Sequence, residues 1–383
     1  MKDMIAQFRF CIFPALAATS LVMSLWGGLW IWAAGFMLLA VNLVGDEVTA
    51  PYLETTNKPY TALLNALLYT VPILAAAMTL VMLMYTANPG TAIAKLGSAV
   101  DLNASTNTGW LPFLGAVFTA GILTGHVAVA YGHELIHRPG HLAWLTGQAL
   151  CARCLHPSVA IEHVYGHHLT VGTPVDASTA PRGMGFWRFA LRALSWENKG
   201  AVAIETRRLK RKGLRFMSVH NRVLHGFAML ATMLAVVLLL SGQAGLLAFL
   251  ASGIIGLSFF ILGNYISHYG LVRVPETPIL PRHSWNAPRF FSTSTLLNIP
   301  RHSHHHASGS TPYWELSPME KAPVHPHGWA WMSLAALAPP VWFHVMQPQL
   351  DIWDSEMASP KELLLLGLPS RRAVGSTLPP AHQ

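Results

Sequence analysis

Four short runs of histidine have the spacing of metal ligands. In Gly132-His133-Glu134-Leu135-Ile136-His137-Arg138, His133 and His137 are four residues apart and share one face of a helix. In Glu162-His163-Val164-Tyr165-Gly166-His167-His168 the same spacing pairs His163 with His167, while His168 points about 100° away around the helix and is placed to serve a second ion. The third run, Asn264-Tyr265-Ile266-Ser267-His268-Tyr269-Gly270, offers His268. The fourth, Arg301-His302-Ser303-His304-His305-His306, sets His302, His305 and His306 at i, i+3 and i+4. Imidazole is the commonest metal ligand in proteins. Nine such rings exceed the three or four that one ion takes in a typical site, so two ions are expected. Spacing alone does not select iron, because imidazole sites intrinsically favour copper and zinc.

The stretch from His133 to His137 also matches the HExxH motif of zinc proteases, with Glu134 as general base. That reading leaves the other three runs idle. His304 falls between ligands and faces away, and His126 lies two turns inside an apolar run, where it reads as a buried polar contact. His141, His156, His220, His225, His283, His325, His327, His344 and His382 read as surface or interfacial positions. Cys11, Cys151 and Cys154 are too few for an iron–sulfur centre, and the CxxC of Cys151 and Cys154 has no thioredoxin-like setting.

The elements that position these rings must belong to a membrane protein. Of 383 residues 52% are hydrophobic and only 11% charged, against about 25% charged in a soluble domain. The mean hydropathy is +0.39. Six apolar spans are expected at 10–26, 28–44, 60–85, 109–131, 223–240 and 244–263, the first two as a tight hairpin broken at Gly27-Gly28. The apolar run continues well past Ala15-Leu16-Ala17, so the start reads as an uncleaved anchor rather than a signal peptide. Of the 25 Lys and Arg, 4 precede residue 131, 13 fall in 131–222 and 8 in 263–383. The positive-inside rule therefore puts the polar regions 132–222 and 264–358 and both termini in the cytoplasm. The tail 359–383 reads as a peripheral turn with a frayed end. The fold class is all-α and polytopic, one membrane domain with a His-rich di-metal site on its cytoplasmic side. A net charge of +8 without interleaved stacking aromatics does not suggest nucleic acid.

Taken in order, the four motifs resemble those of the membrane-bound non-haem di-iron hydroxylases related to fatty-acid desaturases, and among them the alkane monooxygenase and xylene monooxygenase hydroxylase subunits. The family pattern reads HELxHR, HxxxHH, NYxxHYGL and HxxHH, and here it falls on His133–Arg138, His163–His168, Asn264–Leu271 and His302–His306. The resemblance extends to Thr173–Asp176, the basic stretch Glu205–Gly213, His283–Asn286 and Pro339–Trp342. It implies that His133, His137, His163, His167, His168, His268, His302, His305 and His306 ligate two iron ions. It implies further that O2 is co-substrate, that a rubredoxin or a ferredoxin-type reductase driven by NAD(P)H supplies electrons, and that the chain lies in the cell inner membrane. The reaction implied is hydroxylation of a terminal or benzylic methyl group of a hydrocarbon, an alkane or an alkyl-aromatic such as xylene, to the primary alcohol. Alternatives are a desaturase or oxygenase acting on a lipid or terpenoid, an intramembrane zinc protease, or a metal transporter with His at mid-membrane. Ser267 stands where alkane hydroxylases usually have Glu, and Met184 where they tend to have an acid, which suggests a less polar and roomier site. Leu123, Val127, Ile255 and Phe259 are candidate pocket walls.

Overall fold

The computed structural model describes residues 6–56, 59–100 and 109–369. Its first four long apolar helices are α1 (Ala6–Trp26), α2 (Trp30–Val48), α3 (Thr61–Thr86) and α4 (Trp110–His137). The polar region that follows forms α5 (His141–Arg153), α6 (residues 159–170) and α7 (Phe186–Arg211). A fifth apolar helix, α8, runs from Arg222 to His268. Beyond it lie the short α9 (Phe290–Thr295) and α10 (His302–Ala307), then α11 (Trp329–Leu337), α12 (Pro339–Ile352) and α13 (Pro360–Leu365). Two isolated bridges, Pro51 with Arg289 and Asn286 with Val324, are the only β pairing among the described residues.

The 47 residues of α8 would span about 70 Å as one rod, over twice the hydrocarbon core of a bilayer. The rod is broken at Gly242, whose φ of 73° and ψ of −169° lie outside the helical region and are readily reached only without a Cβ. Gly27, between α1 and α2, has nearly the same conformation, φ 76° and ψ −168°. The first apolar pair thus turns on Gly27 and Gly28 (φ 57°), the second on Gly242. Asn88, just beyond α3, braces the second turn: its N–H donates to the Ser241 carbonyl at 2.8 Å and its side-chain oxygen accepts from the Ala244 N–H at 3.0 Å.

At the centre stands α4, with 83% of its apolar window buried against 17% for α8. It crosses α8 where two glycines meet; a Cβ on Gly125 would lie 2.9 Å from the Gly256 Cα. After Val127 the helix passes through a π turn, Ala128–Gly132, and resumes as His133–His137. The fourth expected span therefore runs six residues beyond 131, and the sixth continues past 263 to His268. His133, His137 and His268 thus stand on rigid helix rather than on loops.

Helix α9 is buried against α1, α2 and α4, and its hydroxyls and carbonyls are satisfied by polar side chains of those helices. Asp46 accepts from the Ser292 N–H at 2.9 Å and from its hydroxyl, and the Thr295 hydroxyl donates to Asn42 at 2.6 Å. His126 donates from Nε2 to the Thr295 carbonyl at 2.9 Å, stacked on Phe13. Arg9 donates to Thr293 at 3.1 Å and Asn298 at 2.6 Å. Arg9, just ahead of the first expected span, is thus turned into the protein and is only 3% exposed. A polar group buried in a membrane protein is tolerated only when paired in this way.

The basic end of α7 is clamped to the start of α8. Glu205 accepts from Arg208 Nε at 2.8 Å, Arg222 Nη2 at 2.9 Å and the Arg222 backbone N–H at 2.8 Å. Burial alone would raise its carboxyl pKa, but these hydrogen bonds bring it down to about 2. A folded pKa below the unfolded value stabilises fully above about 4.5, and that contribution fades as pH falls through about 2. Glu205→Gln should therefore lower stability at pH 7 by on the order of 1–3 kcal/mol, and the melts of variant and parent in detergent should converge in acid. Equal melting temperatures at pH 7 would contradict the clamp.

The tail begins with more anchorage than a peripheral turn. Ser359 and Glu362 cap α13 reciprocally, and the buried Glu362 also accepts from His283 Nε2 at 2.8 Å and Arg282 Nε at 3.0 Å. Residues 370–383, with His382, lie outside the described residues.

Candidate metal centre

Nine imidazoles converge from α4, α6, α8 and α10 into two adjoining groups. His133, His137, His163, His168 and His305 form one, and His167, His268, His302 and His306 the other; within each group the ligating atoms lie within 4.8 Å of one another. The two groups share a wall, with the His168 and His306 rings stacked 4.5 Å apart.

This partition differs from the one expected from α-helical spacing. His163 was paired with His167 and His168 set apart, yet His163 and His168 face each other, Nε2 to Nε2 at 3.1 Å, and His167 joins the other group. The cause is the π turn over His163–His167. Its i→i+5 bonding brings residues five apart over one another and rotates the intervening ring away. Likewise His302 and His306 sit together while His305 crosses to the first group. His304 belongs to neither, and its Nδ1 accepts the Ser317 N–H at 2.8 Å.

The donor atoms fit a metal. His133 and His305 approach Nε2 to Nε2 at 3.0 Å, as do His268 and His302, and His302 and His306 at 3.1 Å. Two imidazoles bound at right angles to an ion about 2.1 Å away would stand about 3.0 Å apart. The Nε2 atoms of His137 and His167 are buried without a hydrogen-bond partner. Burial, reinforced by neighbouring rings, pushes His163, His168, His305 and His306 well below the ordinary imidazole pKa and His302 down to about 3. Neutral rings keep a lone pair for coordination.

A second layer of groups aims these rings. His167 donates from Nδ1 to both oxygens of Asp176 at 3.0 Å, leaving Nε2 for its group. Burial would raise the Asp176 carboxyl, yet His167, Thr179 and the Ser178 N–H hold it below its usual value. His268 donates from Nδ1 to the His283 carbonyl at 3.3 Å, and His283 is itself held by Glu362. Arg301 donates to the carbonyls of Leu316 and Glu54, both at 2.6 Å, and so fixes the entry to α10. Glu134 faces away from the rings, bound to Arg138 Nε at 2.7 Å and to the Tyr313 N–H. That placement leaves no general base for the zinc-protease reading.

Three histidines expected near the surface are structural and buried. His156 pairs with Glu197 at 2.7 Å, His325 donates to the Ile266 carbonyl, and His283 pairs with Glu362. His141, His220, His225 and His344 are exposed and His327 half-buried. Asp176, Glu362 and Asp46 escaped sequence reasoning; the carboxylate Asp176, nine residues after His167 in a Thr-Pro-Val-Asp turn, was the one legible hint.

An apolar cavity opens beside both groups. Its volume is about 30 Å³, and Val129, Ile136, Phe260, Ile299 and Trp329 line it together with His133, His163 and His302. Ser267 is on its wall, with a hydroxyl that has no partner. Met184 is not; it is half-buried against the core, and its carbonyl accepts the Tyr265 hydroxyl at 2.8 Å. Nor are the four expected wall residues. Leu123 and Val127 are fully buried, and Ile255 and Phe259 press on Gly121 and Gly125 as helix-packing contacts.

Membrane-spanning helices, a His-rich centre at their ends and a sequence match over residues 108–346 place this chain in the fatty acid desaturase family. Among its relatives, alkane 1-monooxygenase 1 of Pseudomonas aeruginosa is 34% identical over 247 residues, 63% of this chain and 65% of that protein. Alkane 1-monooxygenase of Acinetobacter baylyi is 34% identical over 60% of this chain and 57% of its own length. The xylene/toluene monooxygenase hydroxylase component of Pseudomonas putida is 29% identical over 95% of both chains. The chain thus spans less than two thirds of the two alkane relatives and nearly all of the xylene one.

Proposed function

We propose that this protein hydroxylates a terminal or benzylic methyl group of a hydrophobic hydrocarbon to the primary alcohol, with O2 as co-substrate and two iron ions held by the nine histidines. The observation that carries the reading is the convergence of nine largely buried rings into groups of five and four beside an apolar cavity. Bound iron supplies the oxidant that a strong C–H bond requires, which no side-chain acid or base can provide.

The chain's own part is placement and exclusion. Val129, Ile136, Phe260 and Ile299 give the substrate apolar surface in exchange for lipid. Asp176 and the His283 carbonyl hold the Nδ1 protons of His167 and His268, so that Nε2 of each ring is turned inward. The unpaired Ser267 hydroxyl is a neutral group where a carboxylate would bring charge, which favours an alkyl-aromatic at least as well as a slim linear alkane. We place the protein in the cell inner membrane, with the centre and both termini on the cytoplasmic side, where the basic regions cluster.

The experiment is elemental analysis joined to product analysis: about two iron per chain, and a primary alcohol from a panel of n-alkanes and methyl-arenes. One zinc and no alcohol would overturn the reading. Electrons must come from a separate rubredoxin or ferredoxin-type reductase, because the sequence has neither a dinucleotide fingerprint nor the cysteines of a cluster. NADH alone should give no turnover, and a reductase with a small iron–sulfur carrier should restore it. An acidic carrier would dock on Arg207, Lys210, Arg211 and Lys212, all exposed, whereas Arg208 is occupied by Glu205. Charge reversal there should raise the carrier concentration needed for half-maximal rate, most strongly at low salt.

A further inference from the structure

The cavity wall contributed by α8 consists of Phe260, Gly263, Asn264 and Ser267. Their spacing of i, i+3, i+4 and i+7 makes one helical face. Glycine is a poor choice in a helix interior, where alanine is more stable, unless something needs the space of a side chain. Close packing needs it at the neighbouring glycines of α4 and α8. An added Cβ would lie 2.7 Å from Ile255 at Gly121, 2.8 Å from Leu155 at Gly253 and 2.6 Å from Cys154 Sγ at Gly256. Gly263 differs. Its Cβ would meet only Trp329 Cζ2, at 3.8 Å, an ordinary van der Waals contact. The fold has no steric need for glycine there, and the volume left open belongs to the cavity.

The gap lies between α8 and the Trp329 indole, and that indole is 6.4 Å from the ring of His302. Asn264, the adjacent polar residue on this face, has its amide turned into the protein, donating to Glu197 at 3.0 Å and Ser178 at 3.2 Å. The widened part of the cavity therefore presents mainly carbon.

We propose that Gly263, facing Trp329, sets the breadth of the substrate cavity and so lets a flat six-membered carbon ring reach the metal groups with its methyl substituent foremost. This inference rests on the hydroxylase reading above. A slim linear chain does not need the breadth and gains contacts when the slot narrows, whereas a ring does not fit once a branched side chain fills the gap.

The test compares the parent protein with Gly263→Ala and Gly263→Val, each loaded with iron in membranes and supplied with reductase and carrier. The substrates are p-xylene and n-octane. Gly263→Val should lower the ratio of kcat/KM for p-xylene over n-octane by about 10-fold or more, the discrimination that a methyl group or two in an apolar pocket gives. Adding Trp329→Leu to Gly263→Val should recover p-xylene turnover. Gly263→Ala should bind as much iron as the parent and melt no lower. A readout independent of turnover is thermal stabilisation by ligand. p-Xylene should raise the Tm of the parent more than that of Gly263→Val, and n-octane should raise both alike. An unchanged ratio and unchanged Tm shifts in variants with full iron would overturn the proposal, as would strict selectivity of the parent for n-octane. If Gly263→Val does not fold, Gly263→Ala decides by the same ratio. If the iron-loaded parent oxidises neither compound, the hydroxylase reading fails, and the Tm shifts still report whether Gly263 shapes the cavity.

Discussion

Replacing His137 by alanine is expected to abolish hydroxylation and to strip metal from the centre, and His167→Ala and His305→Ala should do the same. The Nε2 atoms of His137 and His167 are buried with no hydrogen-bond partner, so their local environment is satisfied only by a ligand. His305 lies Nε2 to Nε2 at 3.0 Å from His133. Losing a group that merely supports a ligand costs about 10–100-fold in metal affinity or activity; losing a ligand should cost more than about 100-fold. Iron per chain and alcohol formed per minute measure the two effects together. His304→Ala is the control. It gives up one hydrogen bond from Ser317, on the order of 1 kcal/mol of stability, and should keep its iron and its activity. A His137→Ala protein with full iron and full activity would sink the nine-ligand assignment.

Asp176→Asn should produce the next largest loss. The carboxylate holds the Nδ1 proton of His167 with both oxygens and also takes the Thr179 hydroxyl at 2.6 Å and the Ser178 N–H at 3.1 Å. An amide offers one acceptor in place of two and no charge, so His167 is aimed less firmly and becomes a weaker base. Metal affinity and activity should fall together, each by about 10–100-fold. The rate at which a chelator removes iron measures the first without any turnover. If iron leaves the variant no faster than the parent, Asp176 is serving only the local turn.

Much of the centre was legible in the sequence because helical ligand spacing is a local property. All nine rings that converge are ones whose spacing and motif marked them. The partition between the two groups was not legible, because it depends on a π turn over His163–His167 that no residue type announces. The apolar segments were readable from hydropathy, and the turns at Gly27 and Gly242 from glycine in apolar runs, but the helices overran their expected ends to reach His137 and His268. What sequence reasoning missed was long-range pairing. His156, His283 and His325 read as surface residues because Glu197, Glu362 and the Ile266 carbonyl lie 41, 79 and 59 positions away. The pairing of Arg9 with Asn298 was out of reach of sequence reasoning for the same reason. The cavity walls were placed too deep, since residues that press on glycines look identical in sequence to residues that face a void.

The bonds from Arg9 and Asp46 to α9 also impose an order in time. Arg9 reaches Asn298 across 289 positions and Asp46 reaches Ser292 across 246. A chain leaving the ribosome displays its earliest polar groups long before their partners exist. Arg9 and Asp46 must wait, unpaired or hydrated at the membrane surface, until residues 292–298 have been made. His302, His305 and His306 emerge just after that closing segment, so the first ring group cannot be completed before residue 305 nor the second before residue 306. Metal loading is then a late event in biogenesis, and a ribosome-stalled chain of 300 residues should integrate into the membrane yet retain no iron.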